Sequence, residues 1–278
     1  MNGAKILDYK NYESVKELIY DYIGISISEK DREEFFNKLQ PLITFYGCKN
    51  LDELFQMLIT DPNNEILGEI ANKITTNYSY FNREQVHFEF LKNKALPELV
   101  ADLRKKSNFK LSIWSAACST GEEAYTLAIL LKEFLGIYYD NWIVSVLGTD
   151  ISSKVLKEAK AGVYLQERIG GILPDLFLKY FENINEQNVK IRDELKKDVA
   201  FRVLNLKHNK YQFRERFNIV FCRNVFIYFD EKVIDHVAIN IHRCLEKGGY
   251  LFIGLSETLG KRNNNYFDFV SPGIYRKK

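Results

Sequence analysis

Two adjacent acids, Glu122 and Glu123, open a helix just after a loop of small residues, Cys118 to Gly121, which itself follows the apolar run from Leu111 to Ala117. Strand-like composition, a turn at Ser119, Thr120 and Gly121, and a helix carrying Leu127, Leu130 and Leu131 make this a strand, a tight loop and a helix. In an open parallel sheet such a loop lies at the carboxyl end of the first strand, where nucleotide-like ligands bind. Its small residues let a ligand approach the backbone. A dinucleotide is disfavoured, because the G-x-G-x-x-G fingerprint is absent and two carboxylates stand where phosphate would lie. The pair suits a ligand that is cationic or rich in donors. S-adenosylmethionine (SAM), with a sulfonium, an ammonium and two ribose hydroxyls, is one such ligand. Acids in a first turn also complement the helix dipole with no ligand at all, and on this stretch alone the two readings are even.

Other polar residues fall at corresponding places. Asp150 ends a second strand, Ile143 to Asp150, where an acid accepts hydrogen bonds from ribose hydroxyls because adjacent strand ends flank one crevice. Capping the next helix is the weaker alternative, since Ser152 and Ser153 can cap instead. A strand from Val199 to Leu204 leads to Asn205 and Leu206, and one from Phe217 to Cys222 leads to Arg223 and Asn224. Asn205, Arg223 and Asn224 therefore come from strand ends on the side that carries Asp150. Arg83 precedes a helix that begins near Glu84 and can aim a guanidinium into a cleft; the bland alternative is a surface arginine paired with an acid.

The elements that must position these residues divide the chain. Residues 1–75 read as a bundle of short helices, with Val15, Leu18, Ile19 and Tyr22 at helical spacing and a stop at Gly24. Ser28 to Asp31 is close to a capping box, Asn50 and Glu53 are cap and partner for a further helix, and Pro41 is expected to bend or interrupt the helix between them. Residues 76–83 are a polar, aromatic linker that contributes to the site. From 84 to 278 helices and strands alternate, the mark of a parallel sheet with crossover helices. Residues 162–200 interrupt that alternation as an inserted subdomain with a small antiparallel sheet. A helix from Glu231 to Glu246 and a strand from Tyr250 to Leu255 follow, and the residues from Gly273 onward return as an antiparallel last strand.

Composition narrows the function. At 278 residues with a net charge of +2, the chain can build a sizeable core and does not advertise a polyanionic partner. No window approaches a membrane span, and the first residues lack a signal-peptide apolar region, so a cytoplasmic location is expected. Cys48, Cys118, Cys222 and Cys244 are widely spaced and the four histidines form no cluster, so neither a metal site nor histidine catalysis is expected.

Taken in order, Thr76 to Glu84, Trp114 to Glu123, Gly148 to Ser152, Asn205-Leu206, and Cys222 to Phe229 resemble the bacterial chemotaxis receptor methyltransferases of the CheR type. The resemblance covers nearly the whole chain. It implies a class I SAM-dependent methyltransferase fold of the α/β class: a Rossmann-like, mostly parallel sheet with an antiparallel last strand, an all-helical N-terminal domain and a small inserted β-subdomain. It also implies transfer of methyl from SAM to glutamate side chains of chemoreceptors, leaving S-adenosylhomocysteine and a glutamyl methyl ester. Carried over by motif, Asn77, Ser79, Arg83, Glu123, Asp150, Asn205, Leu206, Arg223 and Asn224 would line the SAM pocket, with Arg83 and Tyr228 nearest the transfer. Choosing Glu123 over Glu122 rests on the resemblance, not on spacing.

The chain departs from the family at several positions. Ser79 stands for a usual Thr and keeps the hydroxyl, Asn82 replaces a common Phe, Ala124 a common Pro, and Leu255 a frequent His. The connection between Phe181 and Lys190 is short and lacks the glycine of members that grip a tethering peptide at the receptor C-terminus. The expected partner is thus the cytoplasmic helical domain of a methyl-accepting chemoreceptor, reached without a tether by a monomer that meets the membrane only through the receptor. A SAM-dependent enzyme with another acceptor and a SAM-binding module without activity are the competing readings. A nucleic-acid methyltransferase would show a more basic balance.

Overall fold

Amphipathic spacing builds the N-terminal helices. The computed structural model describes residues 12–61, 65–75 and 79–278, apart from the side chains of 261 and 262. By contacts the chain forms two units, the first comprising the described residues of Met1–Asn77 together with Tyr228–Asp230. Its helices are α1 (Tyr12–Ile23), α2 (Arg32–Phe45), α3 (Leu51–Thr60) and α4 (Glu65–Ile74). Val15, Ile19, Leu39, Leu54 and Ile70 are buried among them. The Tyr12 ring stacks on Phe36 at 5.5 Å, with the Arg32 guanidinium 4.6 Å above it. Asn50 caps α3 as expected, accepting from Glu53 N at 3.0 Å, while the Glu53 carboxylate accepts from Lys49 N at 2.7 Å. One expectation fails here, and so does one alternative of another. Ser28 donates to the Asp31 carboxylate at 2.6 Å and caps no backbone, with a 3₁₀ turn at Glu29–Asp31 ahead of α2. Pro41 does not interrupt α2, which runs on to Phe45. In the same unit Phe229 bridges Ile25, and Tyr20 donates to Asp230 at 2.7 Å.

The second unit, Tyr78–Ile227 and Glu231–Lys278, holds the sheet. It begins with α5 (Gln85–Phe90), a π-helical segment over Leu91–Ala95, and α6 (Leu96–Lys105). Strand β1 (Lys110–Ala116) is buried along nearly all its length, as a central parallel strand must be. It leads through a loop to α7 (Glu122–Leu135), then β2 (Ile143–Asp150) and α8 (Ser153–Ala161). The inserted segment carries β3 (Val163–Leu165), α9 (Pro174–Tyr180), β4 (Phe181–Asn183), β5 (Asn188–Ile191) and α10 (Asp193–Lys196). Its three strands pair antiparallel in the order β3-β5-β4. The main alternation resumes with β6 (Val199–Val203), β7 (Phe217–Phe221), α11 (Glu231–Cys244), β8 (Leu245–Phe252), β9 (Phe267–Ser271) and β10 (Ile274–Lys277).

Seven strands form one sheet in the order β6-β2-β1-β7-β8-β10-β9, parallel throughout except for β10, which runs antiparallel to both neighbours. This is a Rossmann-like, mostly parallel sheet, as the resemblance implied. From β1 the chain proceeds outward to β2 and β6 on one side, then returns to start β7 on the other, so the topological switch point lies between β1 and β7.

Strand β8 begins five residues earlier than the sequence suggests. Gly248 and Gly249 therefore sit inside it as a register irregularity against β7, where a Cβ on Gly249 would come within 2.7 Å of the Asn218 carbonyl. In the core, Phe88 stacks on Phe221 at 5.7 Å and Phe221 on Phe252 at 4.3 Å, joining α5 to β7 and β8. Trp114 is fully buried and satisfies its indole N–H on the Thr149 hydroxyl at 2.9 Å, tying β1 to β2.

Candidate active site

Five parallel strands, β1, β2, β6, β7 and β8, end at one rim of the sheet, and polar residues follow each of them. The loop after β1 has positive φ at Ala117 (55°), Ser119 (50°) and Gly121 (94°). At Gly121 only a glycine closes the turn, because a Cβ would come within 2.8 Å of Ala159 Cβ and 3.1 Å of the Phe201 ring. Asp150 knits this loop to the end of β2: its Oδ2 accepts from Ser119 N and its Oδ1 from Ser152 N, both at 3.0 Å. The cap of α8 is the Ser152 hydroxyl, which accepts from Val155 N at 3.3 Å. Burial raises the Asp150 carboxyl above its ordinary value, opposed by the backbone N–H groups of Ser152, Ser119 and Ile151. Asp150 is only half-buried by surface, so acceptor capacity remains for a ligand.

A chain of charges crosses the switch point. Glu123 accepts from the Ser115 hydroxyl at 2.6 Å through Oε1 and from Arg223 Nη1 at 3.1 Å through Oε2. Arg223 then forks toward Glu84, with Nη2 at 3.1 Å and Nε at 3.3 Å from Oε2, and Nη2 also donates to the Arg83 carbonyl. The Arg223 side chain is 2% exposed, so its charge is committed to these two carboxylates. Glu84 Oε1 accepts from Asn224 Nδ2 at 3.0 Å. Asn224 adopts a left-handed backbone (φ 59°), and its N–H donates to Glu257 Oε2 at 3.0 Å. Glu257 also accepts from Ile227 N and Gly254 N, and burial raises its carboxyl despite those donors.

Glu84 is the electrostatic centre of this chain. Burial alone would raise its carboxyl, but His87, Asn224 and Arg223 outweigh that and bring it down to about 2. His87 acts across a contact of 3.3 Å from Nδ1 to Oε2 whose geometry falls short of a hydrogen bond. The neighbouring acids of α7 part company. Glu122 is fully buried and turns to the inserted segment, accepting from Arg168 Nη1 at 3.0 Å and from the Thr120 hydroxyl at 2.8 Å. Spacing leaves the two glutamates equivalent, and their surroundings separate them.

The turn 81–84 that carries Arg83 is strapped on its other side as well. Phe81 N donates to the Arg168 carbonyl at 3.0 Å, and Asn82 N to the Thr126 hydroxyl at 3.3 Å. Asn82 (φ 62°) and Glu84 (φ 56°) are both left-handed, and the Arg83 residue between them is half-buried. Ser79 is half-buried too, and Asn77 lies outside the described residues. Asn205 and Leu206 are buried just past β6; Asn205 Oδ1 accepts from Lys207 N and the Leu206 carbonyl accepts from the Tyr211 hydroxyl, each at 2.8 Å. Tyr228 falls in the helical unit, its carbonyl accepting from Ser26 N at 3.0 Å.

Hydrogen bonds thus bring together Glu123, Arg223, Asn224 and the Arg83 main chain, with Asp150 at the end of β2 bonded to the adjoining loop. Glu84, Ser115 and Glu257 belong to the same arrangement and no sequence signal singled them out. Among the described residues no group of His, Cys, Asp and Glu could hold a metal ion, and no helix is long and apolar enough to cross a membrane. Cys118 and Cys222 are buried, and burial pushes both thiols well above their ordinary value, which leaves them unreactive.

Comparison with known proteins agrees with this architecture. Residues 77–275 match the family described as CheR methyltransferase, SAM binding domain. The chain is 40% identical over 261 residues to a chemotaxis protein methyltransferase of Borreliella burgdorferi, covering 94% of this chain and 92% of that one. It is 34% identical over 275 residues to chemotaxis protein methyltransferase 1 of Pseudomonas aeruginosa, covering 96% and 98%. The acceptor set fits SAM: Asp150, only half-buried, keeps acceptor capacity for ribose hydroxyls, and Glu123, with 16% of its side chain exposed, adds a carboxylate that favours a positively charged ligand. A domain match over most of the sequence, relatives aligned almost from end to end, and the sheet order found here lead to one statement: this chain belongs to the CheR methyltransferase family.

Proposed function

We propose that this protein transfers a methyl group from SAM to glutamate side chains of chemoreceptors, giving glutamyl methyl esters and S-adenosylhomocysteine. The observation that carries this reading is the near full-length relationship to chemotaxis protein methyltransferases at up to 40% identity among those compared. When bound, SAM supplies an electrophilic methyl carbon on a positively charged sulfur. The residues proposed to hold it are Asn77, Ser79, Arg83, Glu123, Asp150, Asn205, Leu206, Arg223 and Asn224. Asp150 takes the ribose hydroxyls. The Glu123 carboxylate supplies negative charge that favours a cation.

An acceptor glutamate has an ordinary pKa of about 4.3 and is already an anion at neutral pH. No residue of this chain has to remove a proton. What the protein contributes is alignment, which can be worth roughly 7–11 kcal/mol when two reactants are held in a near-attack arrangement. Arg83 orients and neutralises a carboxylate, and the Tyr228 hydroxyl donates a hydrogen bond beside the methyl path. The partner is proposed to be the cytoplasmic helical domain of a chemoreceptor, engaged by a monomer, with no nucleic acid involved. Residues 184–187, between β4 and β5, form a short connection without glycine, so no C-terminal peptide tether is proposed. For the domains we propose 1–75, a linker at 76–83 that contributes to the site, and 84–278.

The test is incubation with methyl-labelled SAM and membranes containing chemoreceptors, scoring label released as methanol by mild alkali. Esters release it, whereas methylated nitrogen or carbon does not. Alkali-labile label on receptor bands, including receptors lacking a C-terminal tether, is expected; binding of SAM without any such label would refute the acceptor assignment.

A further inference from the structure

Glu84 adopts a left-handed backbone conformation that a glutamate has no local reason to take (φ 56°, ψ 57°). Asn tolerates that region through its short amide, which accounts for Asn82. Glu84 is held there by what its side chain reaches. One carboxylate oxygen takes two N–H groups of Arg223, at 3.1 and 3.3 Å, and the other takes the Asn224 amide at 3.0 Å. The same Arg223 guanidinium donates to the carbonyl of Arg83, so a single fork grips the main chain of one residue and the side chain of the next. At the other end of the turn, Phe81 and Asn82 are tied to Arg168 and Thr126. Arg83 is therefore presented from a backbone clamped on both sides. Asn224 and Arg223 are themselves held from behind by Glu257 and Glu123.

From this geometry we infer that Glu84 is a positioning residue: by clamping Arg223 and Asn224 it fixes the turn 81–84 in the conformation that aims the Arg83 side chain. The inference rests on the proposed role of Arg83 and deepens it. Glu84 acts on the reaction through Arg83, and its own carboxylate is spent on the protein. Replacing it by the amide removes the charge that secures the fork while leaving Arg223 its pair with Glu123.

A double-mutant cycle tests this with Glu84→Gln, Arg83→Ala and the pair, using the receptor-labelling rate and calorimetric SAM binding. Fluorescence of Trp114 and Trp142, which both lie in this unit, confirms that each variant is folded. Glu84→Gln is expected to lower kcat/KM by about tenfold or more, the scale of a small misplacement of a reacting group. In the Arg83→Ala background the same change is expected to cost less than about threefold, because the group it positions is gone. Equal losses in both backgrounds would mean a merely structural role and overturn the inference. An Arg83→Ala variant as active as wild type would overturn it together with the proposed role of Arg83. If wild type labels no receptor, the acceptor assignment fails by itself, and the same non-additivity is then required of the SAM dissociation constant. Should the amide variant unfold, Glu84→Asp, which keeps the charge on a shorter arm, takes its place under the same criterion.

Discussion

Neutralising Glu84 should destabilise the sheet-containing unit by about 3 kcal/mol at pH 7, and by progressively less as the pH falls. The carboxyl moves from an ordinary 4.5 to about 2 on folding, and at 1.36 kcal/mol per pH unit that difference is worth about 3 kcal/mol. With 18% of its side chain exposed, solvent screening removes little of this. The folded value lies below the unfolded one, so the native state binds this proton less tightly. Its stabilisation is therefore whole above about pH 5, falls to roughly half by pH 3, and disappears as the pH approaches the folded value. Asp150 and Glu257 have the opposite sign, since burial raises both carboxyls and their protonation in acid favours the folded state. They are common to wild type and Glu84→Gln and cancel in the difference. Urea denaturation followed by tryptophan fluorescence reads the right unit, because Trp114 and Trp142 both lie in it. A stability gap that is the same at pH 7 and pH 3, or below about 1 kcal/mol at pH 7, would refute the charge-chain reasoning.

Three further changes have defined outcomes. Asp150→Ala should weaken SAM binding at least tenfold by calorimetry, because a hydrogen bond to a charged acceptor is worth about 1.5–3 kcal/mol; an affinity within twofold of wild type contradicts its ribose role. Tyr228→Phe should slow methyl transfer roughly tenfold with SAM affinity unchanged, the pattern for loss of a hydrogen bond made near the transition state, and an unaltered rate removes the hydroxyl from the mechanism. Gly148→Ala places a Cβ within 2.6 Å of the Phe201 ring and 3.0 Å of Cys118 Sγ, which should cost about 1–3 kcal/mol by overpacking. Adding Phe201→Leu should recover part of that loss in the same denaturation assay, and no recovery would show that the strain lies elsewhere.

Local signals carried much of the architecture into the sequence. The run from Ile143 to Asp150 is a strand because its residues favour one, and Ser152 caps the helix that follows because its hydroxyl is placed to do so. Asn50 and Glu53 cap α3 for the same reason. Where the sequence misled, a distant contact decided the outcome. Gly248 and Gly249 look like the end of a helix and a turn, yet pairing with β7 absorbs them into β8 as an irregularity. Strand β9, with Phe267 buried and Phe269 exposed on the outermost position of the sheet, has too short and mixed a pattern to announce itself and exists through pairing with β10. The same limit applied at the site. The place of Asp150 at the end of β2 was legible because a strand end is a local feature, whereas Glu84 meets Arg223 and Asn224 across 139 and 140 residues and Glu257 meets Asn224 across 33. No spacing rule links such partners, and an ionic residue beside Arg83 reads as an ordinary helix start until the fold closes.

That closure also assigns different work to the two arginines. Both Arg83 and Arg223 can neutralise a carboxylate in principle, and in the sequence they are alike in type and near the same rim. The Arg223 side chain is 2% exposed and already shared between Glu84 and Glu123, so meeting an incoming carboxylate would mean abandoning one of two largely buried acids, at a cost on the order of several kcal/mol. It is better suited to hold Glu123, Asn224 and the turn than to take part in transfer. Arg83 is half-buried and presented from a turn whose main chain is fixed at both ends. In the proposed mechanism the anionic acceptor enters a site with an excess of carboxylates, and without a cation at the transfer point that approach is repulsive. The electrostatics support a division: Arg223 keeps the acids of the protein in place, and Arg83 is the guanidinium proposed to meet the incoming carboxylate.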